Sequence, residues 1–297
     1  MPTESVSLGL LSIFSLISFF VVLITKKISS KIGNGILLDQ DFDKPQAFHK
    51  ESVARIGGLA SVISLIIFFL LYYFLFNQIL FDYLFLSVSI FLLGFIEDLK
   101  IRIGPNYRLI TMVLILVLFI MFFSINIGAI DLAFLSLWMN NQLFANLFLL
   151  LCFLFIINGA NLVDGFNGLL TIHLLIINLI LFFINLNNGH QDLLLFITAQ
   201  IVVLTCFLLF NFPKAKMFLG DSGSYLFGSL VAFNVINTHN LNTEISSFFF
   251  CILLFYLFFE VFFSFFRKLY LKKSPLKPDS KHLHMLLYNF LNQSQKF

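Results

Sequence analysis

Charge is scarce in this chain. Of its 297 residues, 11% are Asp, Glu, Lys or Arg and 60% are hydrophobic. With a mean hydropathy of +0.98, that composition excludes a soluble globular domain. Alternation of apolar and polar residues at period two is also missing, which argues against a membrane β-barrel. The three cysteines, Cys152, Cys206 and Cys251, all lie in apolar runs without a CxxC spacing. They read as small buried apolar residues, with no disulfide or zinc framework. Trp occurs once whereas Phe occurs 43 times, and the phenylalanines read as lipid-facing bulk. Residues 1–7 hold no Lys or Arg, and no small-residue cleavage site follows the first apolar run. An uncleaved first helix fits better than a signal peptide.

What remains is a series of long apolar runs. A bilayer core about 30 Å thick needs roughly 20 apolar residues per helix. The runs 8–25, 57–76, 79–96, 109–127, 143–157, 169–186, 193–210, 225–236 and 245–266 meet or approach that length. They predict an all-α polytopic membrane protein with about nine transmembrane helices. Cytoplasmic loops are enriched in Lys and Arg. With the N-terminus outside, the inner segments 26–56, 97–108, 158–168, 211–224 and 267–297 hold all 18 basic residues. The predicted topology is therefore N-terminus out and C-terminus in. The acids Glu4, Asp82, Asp131, Asp192 and Glu244 fall outside and read as solvated loop residues.

Polar islands interrupt the apolar chain, and on this topology all face inward. A carboxylate at a membrane boundary is costly and is commonly kept for a task. Glu97 and Asp98 close the third run. Adjacent carboxylates raise one another's pKa and suit metal binding or a base. The plainer alternative is a charged stop balanced by Lys100 and Arg102. Residues 158–168 carry Asn158, Asn161, Asp164 and Asn167 among three glycines, with no Lys or Arg. Glycine permits tight turns and close backbone approach, and Asn and Asp can read a base or sugar by directional hydrogen bonds; an ordinary turn has the same composition. Asp221 stands at a helix entry, where a carboxylate can cap or hold Mg²⁺ bridged to a diphosphate. Lys214 and Lys216 precede it. His282 and His284 follow a basic run; with no third His or Cys nearby, phosphate binding is preferred to zinc. The basic run also suits anionic lipid headgroups. Glu260, about two turns inside the last run, reads as a structural partner of Arg267 or Lys268. The segment His49–Gly58 adds Lys50 and Arg55 before a Gly pair.

In order, the strings HKESVARIGGLA (49–60), GFIEDLKIRIGPNYRL (94–109), NGANLVDGFNGL (158–169), MFLGDSGSYLFG (217–228) and HLH (282–284) resemble the polyprenyl-phosphate N-acetylhexosamine-1-phosphate transferase family. That family, glycosyltransferase family 4, includes phospho-MurNAc-pentapeptide translocase and undecaprenyl-phosphate GlcNAc-1-phosphate transferases. The resemblance implies one integral-membrane transferase domain over 1–297, with 267–297 as a basic cytoplasmic tail carrying the His-x-His motif. It implies transfer of a HexNAc-1-phosphate group from a UDP-N-acetylhexosamine to undecaprenyl phosphate, releasing UMP. The expected place is a cytoplasmic cleft at the bacterial inner membrane, and the expected product primes O-antigen-like surface glycans. The implied cofactor is Mg²⁺, with Mn²⁺ as an alternative. Besides its substrates and the bilayer, a homodimer is an expected partner and nucleic acid is not.

By position, the resemblance makes Asp221 the metal ligand and places Glu97, Asp98 and Asp221 in catalysis. It assigns Asn158, Asn161, Asp164 and Asn167 to nucleotide recognition, and Lys50, Arg55, His282 and His284 to phosphate or sugar contacts. Glu97 stands where many members have Asp, Asn167 where many have a second Asp, and Met285 where a third His often occurs. The 13 residues after His284 are too few for the additional final span of many relatives. The competing class is a membrane transporter of an ion or phosphate compound, which predicts internal repeats and mid-membrane charges. No repeat is evident, and Glu260 is the only ionisable group well inside a span. A lipid-binding scaffold would explain the basic tail but not the paired acids.

Overall fold

The computed structural model describes residues 4–29, 36–39, 52–101, 103–128, 130–274 and 281–294. Its helices are α1 (Glu4–Ile28), α2 (Gly57–Phe76), α3 (Phe81–Asp98), α4 (Pro105–Phe122), α5 (Ala133–Met139), α6 (Gln142–Val163), α7 (Leu169–Asn188), α8 (Gln191–Asn211), α9 (Gly220–Leu241), α10 (Ser247–Leu253), α11 (Phe255–Tyr270) and α12 (Leu283–Ser294). Local chemistry sets several ends. Pro105 opens α4 at a position where no backbone donor is needed. Gly168 and Gly189 flank α7 with φ of +77° and +75°, a region that glycine enters without strain.

Six helices (α1, α2, α4, α6, α7 and α8) are long and apolar enough to cross a membrane, and the α10–α11 pair, bent by 65°, makes a seventh. The single run expected at 245–266 is thus broken at Leu254. Helices α3 and α9 are comparably long, but α3 carries Asp82, Glu97 and Asp98, and α9 is rich in Ser and Asn. The chain is a multi-pass, mostly helical membrane protein. The all-α expectation needs one addition. Strands β1 (Leu38–Asp39), β2 (Val53–Arg55) and β3 (Met217–Phe218) form a small sheet in that order. β1 and β2 run antiparallel, and β2 and β3 run parallel.

Helix α9 is the axis of the bundle. Eighteen of its 22 residues are buried, against α2, α3, α6, α7 and α8. Small residues let it in. A Cβ on Gly94 of α3 would fall 2.5 Å from the Asp221 carbonyl oxygen and the Ser222 Cα. One on Gly58 of α2 would strike the Ser222 hydroxyl. The start of α9 is therefore wedged between α2 and α3. The C-terminal half of α9 is held by polar pairs. Tyr83 donates to Asn234 (3.2 Å), Asn234 donates to Asn178 (3.2 Å), and Asn185 donates to Thr238 (2.9 Å). In an apolar medium such groups must find one another.

Phenylalanine serves two roles where one was expected. Phe74 and Phe122 face outward, but Phe68, Phe153, Phe196 and Phe227 are fully buried in the core. Of the cysteines, only Cys206 is buried, while Cys251 is exposed on α10. Three of the five acids expected to be solvated singles are engaged. Asp192 accepts from Tyr72 (2.8 Å), Glu244 from Asn188 (2.9 Å), and Asp131 from the Ser246 hydroxyl (2.6 Å) and the Ser247 amide (2.7 Å). These pairs gather the ends of α2, α7, α8 and α9 at the pole opposite Asp98.

Gly94→Val should lower the thermal midpoint of the purified protein or abolish its folded yield. Overpacking costs about 1–3 kcal/mol, and here the obstructing atoms are backbone. Circular dichroism melts in detergent check this, with Gly9→Val, whose site has no neighbour within 4 Å, as the comparison.

Candidate active site

The centre of the site is the start of α9. The first backbone N–H groups of a helix lack intrahelical partners and carry partial positive charge. Here they are capped from another helix. The Asp98 carboxylate accepts from the amides of Asp221 and Ser222, each at 3.0 Å, and from the Ser222 hydroxyl. Asp98 is 1% exposed. Gly220, at φ +77°, makes room: a Cβ there would fall 2.6 Å from Asp98 Oδ2. The competing role of Asp221 as a cap is thus taken by Asp98, and the Asp221 side chain is released toward the open side.

Asp221 and its neighbours share that open side. Arg108 Nη1 lies 3.4 Å from Glu97 Oε1 and 3.7 Å from Asp221 Oδ2, and all three side chains are about one-quarter exposed. The plainer expectation balanced Glu97 and Asp98 with Lys100 and Arg102. Instead Glu97 meets Arg108, Lys100 donates to the Leu38 carbonyl (3.0 Å), and Arg102 lies outside the described residues. Asn161 donates to Asp221 Oδ1 and to the Ser224 hydroxyl, both at 3.1 Å.

Residues 158–168 were expected to form a loop. Helix α6 runs on to Val163, so Asn158 and Asn161 sit on its last turns and only 164–168 turn back. The Asn158 amide donates to the Leu154 carbonyl (2.7 Å) and to Met112 Sδ (3.8 Å); it faces α4 and away from the acids. Asn167 is exposed and donates to the Pro213 carbonyl (3.1 Å), tying the α6–α7 turn to the segment before β3. Asp164, the C-cap of α6, is half-buried. Burial, then the Asp221 carboxylate, pushes its carboxyl up to about 7, against the opposing pull of Arg55.

Arg55 reaches the site from β2. Its Nε and Nη2 both donate to Asp39 Oδ2, at 3.0 and 2.6 Å. Burial lowers the pKa of this guanidinium, but Asp39, with Asp221 and Asp98 further off, outweighs burial and raises it. Lys50 lies outside the described residues. His282 and His284 are brought to the same pole by α11. His282 Nδ1 lies 3.1 Å from Glu260 Oε2, and the Leu283 amide donates to Glu260 Oε1 at 2.9 Å. Glu260 was expected to pair with Arg267 or Lys268; its carboxylate is instead taken up by the histidine motif. The edge of the His284 ring lies against Gly165, next to Asp164.

Sequence reasoning missed Arg108, Ser222 and Asp39. Arg108 was counted only for topology, although Pro105 fixes the helix start and so places it one turn inside. Asp39 lies in a segment whose two-residue strand carries no pattern.

Among the described residues, no group of three His, Cys, Asp or Glu side chains is placed to hold a metal alone. The oxygens offered, from Asp221 with Glu97 beside it, are hard donors, and the Asn161 amide orients Asp221 by donating to it. They fit an ion that takes one or two protein carboxylates and completes its shell with phosphate and water, as Mg²⁺ does.

Residues 80–239 match the glycosyl transferase family 4 profile, more than half of the chain. The chain belongs to glycosyl transferase family 4. It is 28% identical over 309 residues to an undecaprenyl-phosphate α-N-acetylglucosaminyl 1-phosphate transferase of Thermotoga maritima, covering 95% of this chain and 89% of that one. It is 35% identical over 147 residues to a phospho-N-acetylmuramoyl-pentapeptide-transferase of Clostridium perfringens, covering 47% and 46% of the two chains. The enzyme of that name in Streptococcus pneumoniae is 32% identical over 210 residues, covering 67% and 63%. The chain thus spans about half to two-thirds of these last two relatives. The family 4 match contains Glu97, Asp98, Arg108, Asn161, Asp164 and Asp221, the residues gathered around the start of α9. Arg55 and the histidine motif flank it.

The shift at Asp164 gives a pH signature. An unfolded Asp carboxyl loses its proton near pH 4, while folded Asp164 keeps its proton up to about pH 7. This group therefore favours the fold fully below roughly pH 4, and the advantage is lost as pH rises through about 7. Asp164→Asn should raise Tm at pH 8 and flatten the decline of Tm between pH 5 and 8. Melts in EDTA check this; parallel curves for the two proteins would contradict the assignment.

Proposed function

We propose that this family 4 protein transfers a HexNAc-1-phosphate group from a UDP-N-acetylhexosamine to undecaprenyl phosphate, releasing UMP. The observation that carries the reading is the capped start of α9, where Asp221, Glu97, Arg108 and Asn161 converge at the end of a membrane bundle. The T. maritima relative is named for the transfer of a GlcNAc-1-phosphate group, and its likeness covers nearly the whole chain. Counting α3 and α9 as spans gives nine crossings, and the basic residues then face the cytoplasm of a bacterial inner membrane. The product primes surface glycan synthesis of the O-antigen kind.

In this reaction a phosphate oxygen of the lipid attacks the β-phosphorus of the UDP-sugar. The bond from that phosphorus to the bridging oxygen breaks, and UMP leaves with the electron pair. The attacking and attacked groups are both anionic, so cations must offset their repulsion. Arg108, beside Glu97 and Asp221, and Arg55, which feels Asp221 and Asp98 from β2, supply the positive charge for that purpose. Asp221, with Asn161 beside it, would hold Mg²⁺. When bound, Mg²⁺ neutralises the diphosphate and the charge on the departing UMP. The two adjacent acids divide their roles. Asp98 is buried and occupied by three donors, so it positions Asp221. Glu97 lies at the open edge and is the group placed to take a proton from the lipid phosphate. Asn161, Asp164 and Asn167 at the α6–α7 turn, with His282 and His284, form the wall that receives the nucleotide-sugar. A phosphate nucleophile lies at the headgroup plane, so such a site belongs at a membrane interface.

Asp221→Asn keeps the helix start and removes the charge. It should lower Mg²⁺-dependent UMP release by at least a hundredfold, as losing a principal electrostatic stabiliser typically does. A coupled UMP assay with undecaprenyl phosphate checks this. Wild-type turnover in the variant would remove Asp221 from the reaction.

A further inference from the structure

Among the described residues, Glu260 is the most deeply buried carboxylate that the chemistry above leaves unused. It sits on α11 and is 0% exposed. A buried carboxylate is expensive, and an apolar side chain of similar volume often packs the same space at lower cost. What a carboxylate adds is direction. Both its oxygens point at the histidine motif. Oε2 meets His282 Nδ1 at 3.1 Å, while Oε1 accepts from the Leu283 amide at 2.9 Å and lies 3.8 Å from His284 Nδ1. The Tyr256 hydroxyl, one helical turn earlier, is 3.2 Å from the same His284 nitrogen. The two imidazoles stack in parallel, 5.7 Å apart and 5° from coplanar orientation.

The consequence lies on the far edge of His284. The residue is 8% exposed, and its Nε2 finds no hydrogen-bond partner among the described residues. That atom would be 2.5 Å from a Cβ at Gly165, and the ring meets Phe166 edge-on with centroids 5.4 Å apart. Only a glycine at 165 lets the imidazole lie against the turn that carries Asp164. A buried polar atom without a partner is costly, and here it borders the turn assigned to the nucleotide-sugar. When Nδ1 accepts from the Tyr256 hydroxyl, or when the ring is doubly protonated, Nε2 carries a proton and that edge is a donor.

We infer that Glu260 is a positioning residue: its carboxylate and Tyr256 fix the His282–His284 segment so that His284 Nε2 is presented beside Asp164 to a phosphoryl oxygen of the nucleotide-sugar. This rests on the transferase reading and deepens it. Glu260 touches no substrate. It acts through two rings that reach it from beyond the end of α11.

The test uses the full-length protein in nanodiscs, with UDP as the binding probe and diethyl pyrocarbonate as the probe of the rings. Glu260→Gln preserves volume and is the main variant. Removing the residue that orients a metal-ligating His typically costs about 10–100-fold, and a loss of the same order is expected for this His. UDP affinity by calorimetry should fall by that amount, Tm should stay near the wild-type value, and His284 modification, read by peptide mass spectrometry, should accelerate and lose its protection by UDP. Glu260→Asp, which keeps a carboxylate, should recover part of the affinity. Wild-type UDP affinity and unchanged His284 reactivity in Glu260→Gln would overturn the inference and leave the transferase reading standing. If wild-type protein binds no UDP, both fall together.

Discussion

The Asp98 carboxylate at the start of α9 is the interaction on which the remaining arrangement depends. A helix start wedged between two other helices has unsatisfied amides and no water to meet them. Asp98 supplies the acceptor from α3, and the cost of burying its charge is offset by three donors and the partial positive charge of the helix end. Gly94, Gly58 and Gly220 are small because this junction leaves no space for a Cβ. Once the cap is provided in this way, Asp221 need not cap its own helix. Its carboxylate is left at the open edge with Glu97, Arg108 and Asn161.

The same constraint explains the rest of α9. Unpaired polar groups are costly on a helix so deeply buried in a membrane bundle; Asn234 and Thr238 of α9 meet Tyr83, Asn178 and Asn185 across the bundle, although the Tyr225 hydroxyl has no hydrogen-bond partner among the described residues. These contacts hold the axis that carries the candidate site. Around it, phenylalanine packs the interior as well as the lipid face. The histidine motif is fastened from the other side by Glu260. The site is therefore assembled from the ends of α3, α4, α6 and α9, the strand β2 and the segment after α11.

Much of this was legible in the sequence because a membrane imposes simple rules. Apolar runs marked the helices, and the confinement of Lys and Arg to alternate segments indicated which polar islands share a face. Asn161, Asp164, Asp221, Glu97 and Asp98 were found because polar residues in an apolar chain are conspicuous. What could not be read were pairings set by tertiary contact. Nothing local distinguishes Asp98, which caps a distant helix, from Glu97, which faces Arg108. Asn158 shares its spacing with Asn161, yet α6 continues past both and turns Asn158 toward Met112. Glu260 was identified as structural from its depth, but its partner lay beyond the end of α11. The strand pairing that sets Arg55 against Asp39 is too short to leave a periodic signal.

The most direct measurement identifies both products of the proposed reaction. Purified protein in nanodiscs is incubated with undecaprenyl phosphate, Mg²⁺ and a panel of UDP-HexNAc donors, and the nucleotide and lipid are analysed by mass spectrometry. The account predicts, for at least one donor, equimolar UMP and undecaprenyl diphosphate carrying one HexNAc. Release of UDP with a monophosphate-linked sugar, or no lipid product from any donor, would contradict it.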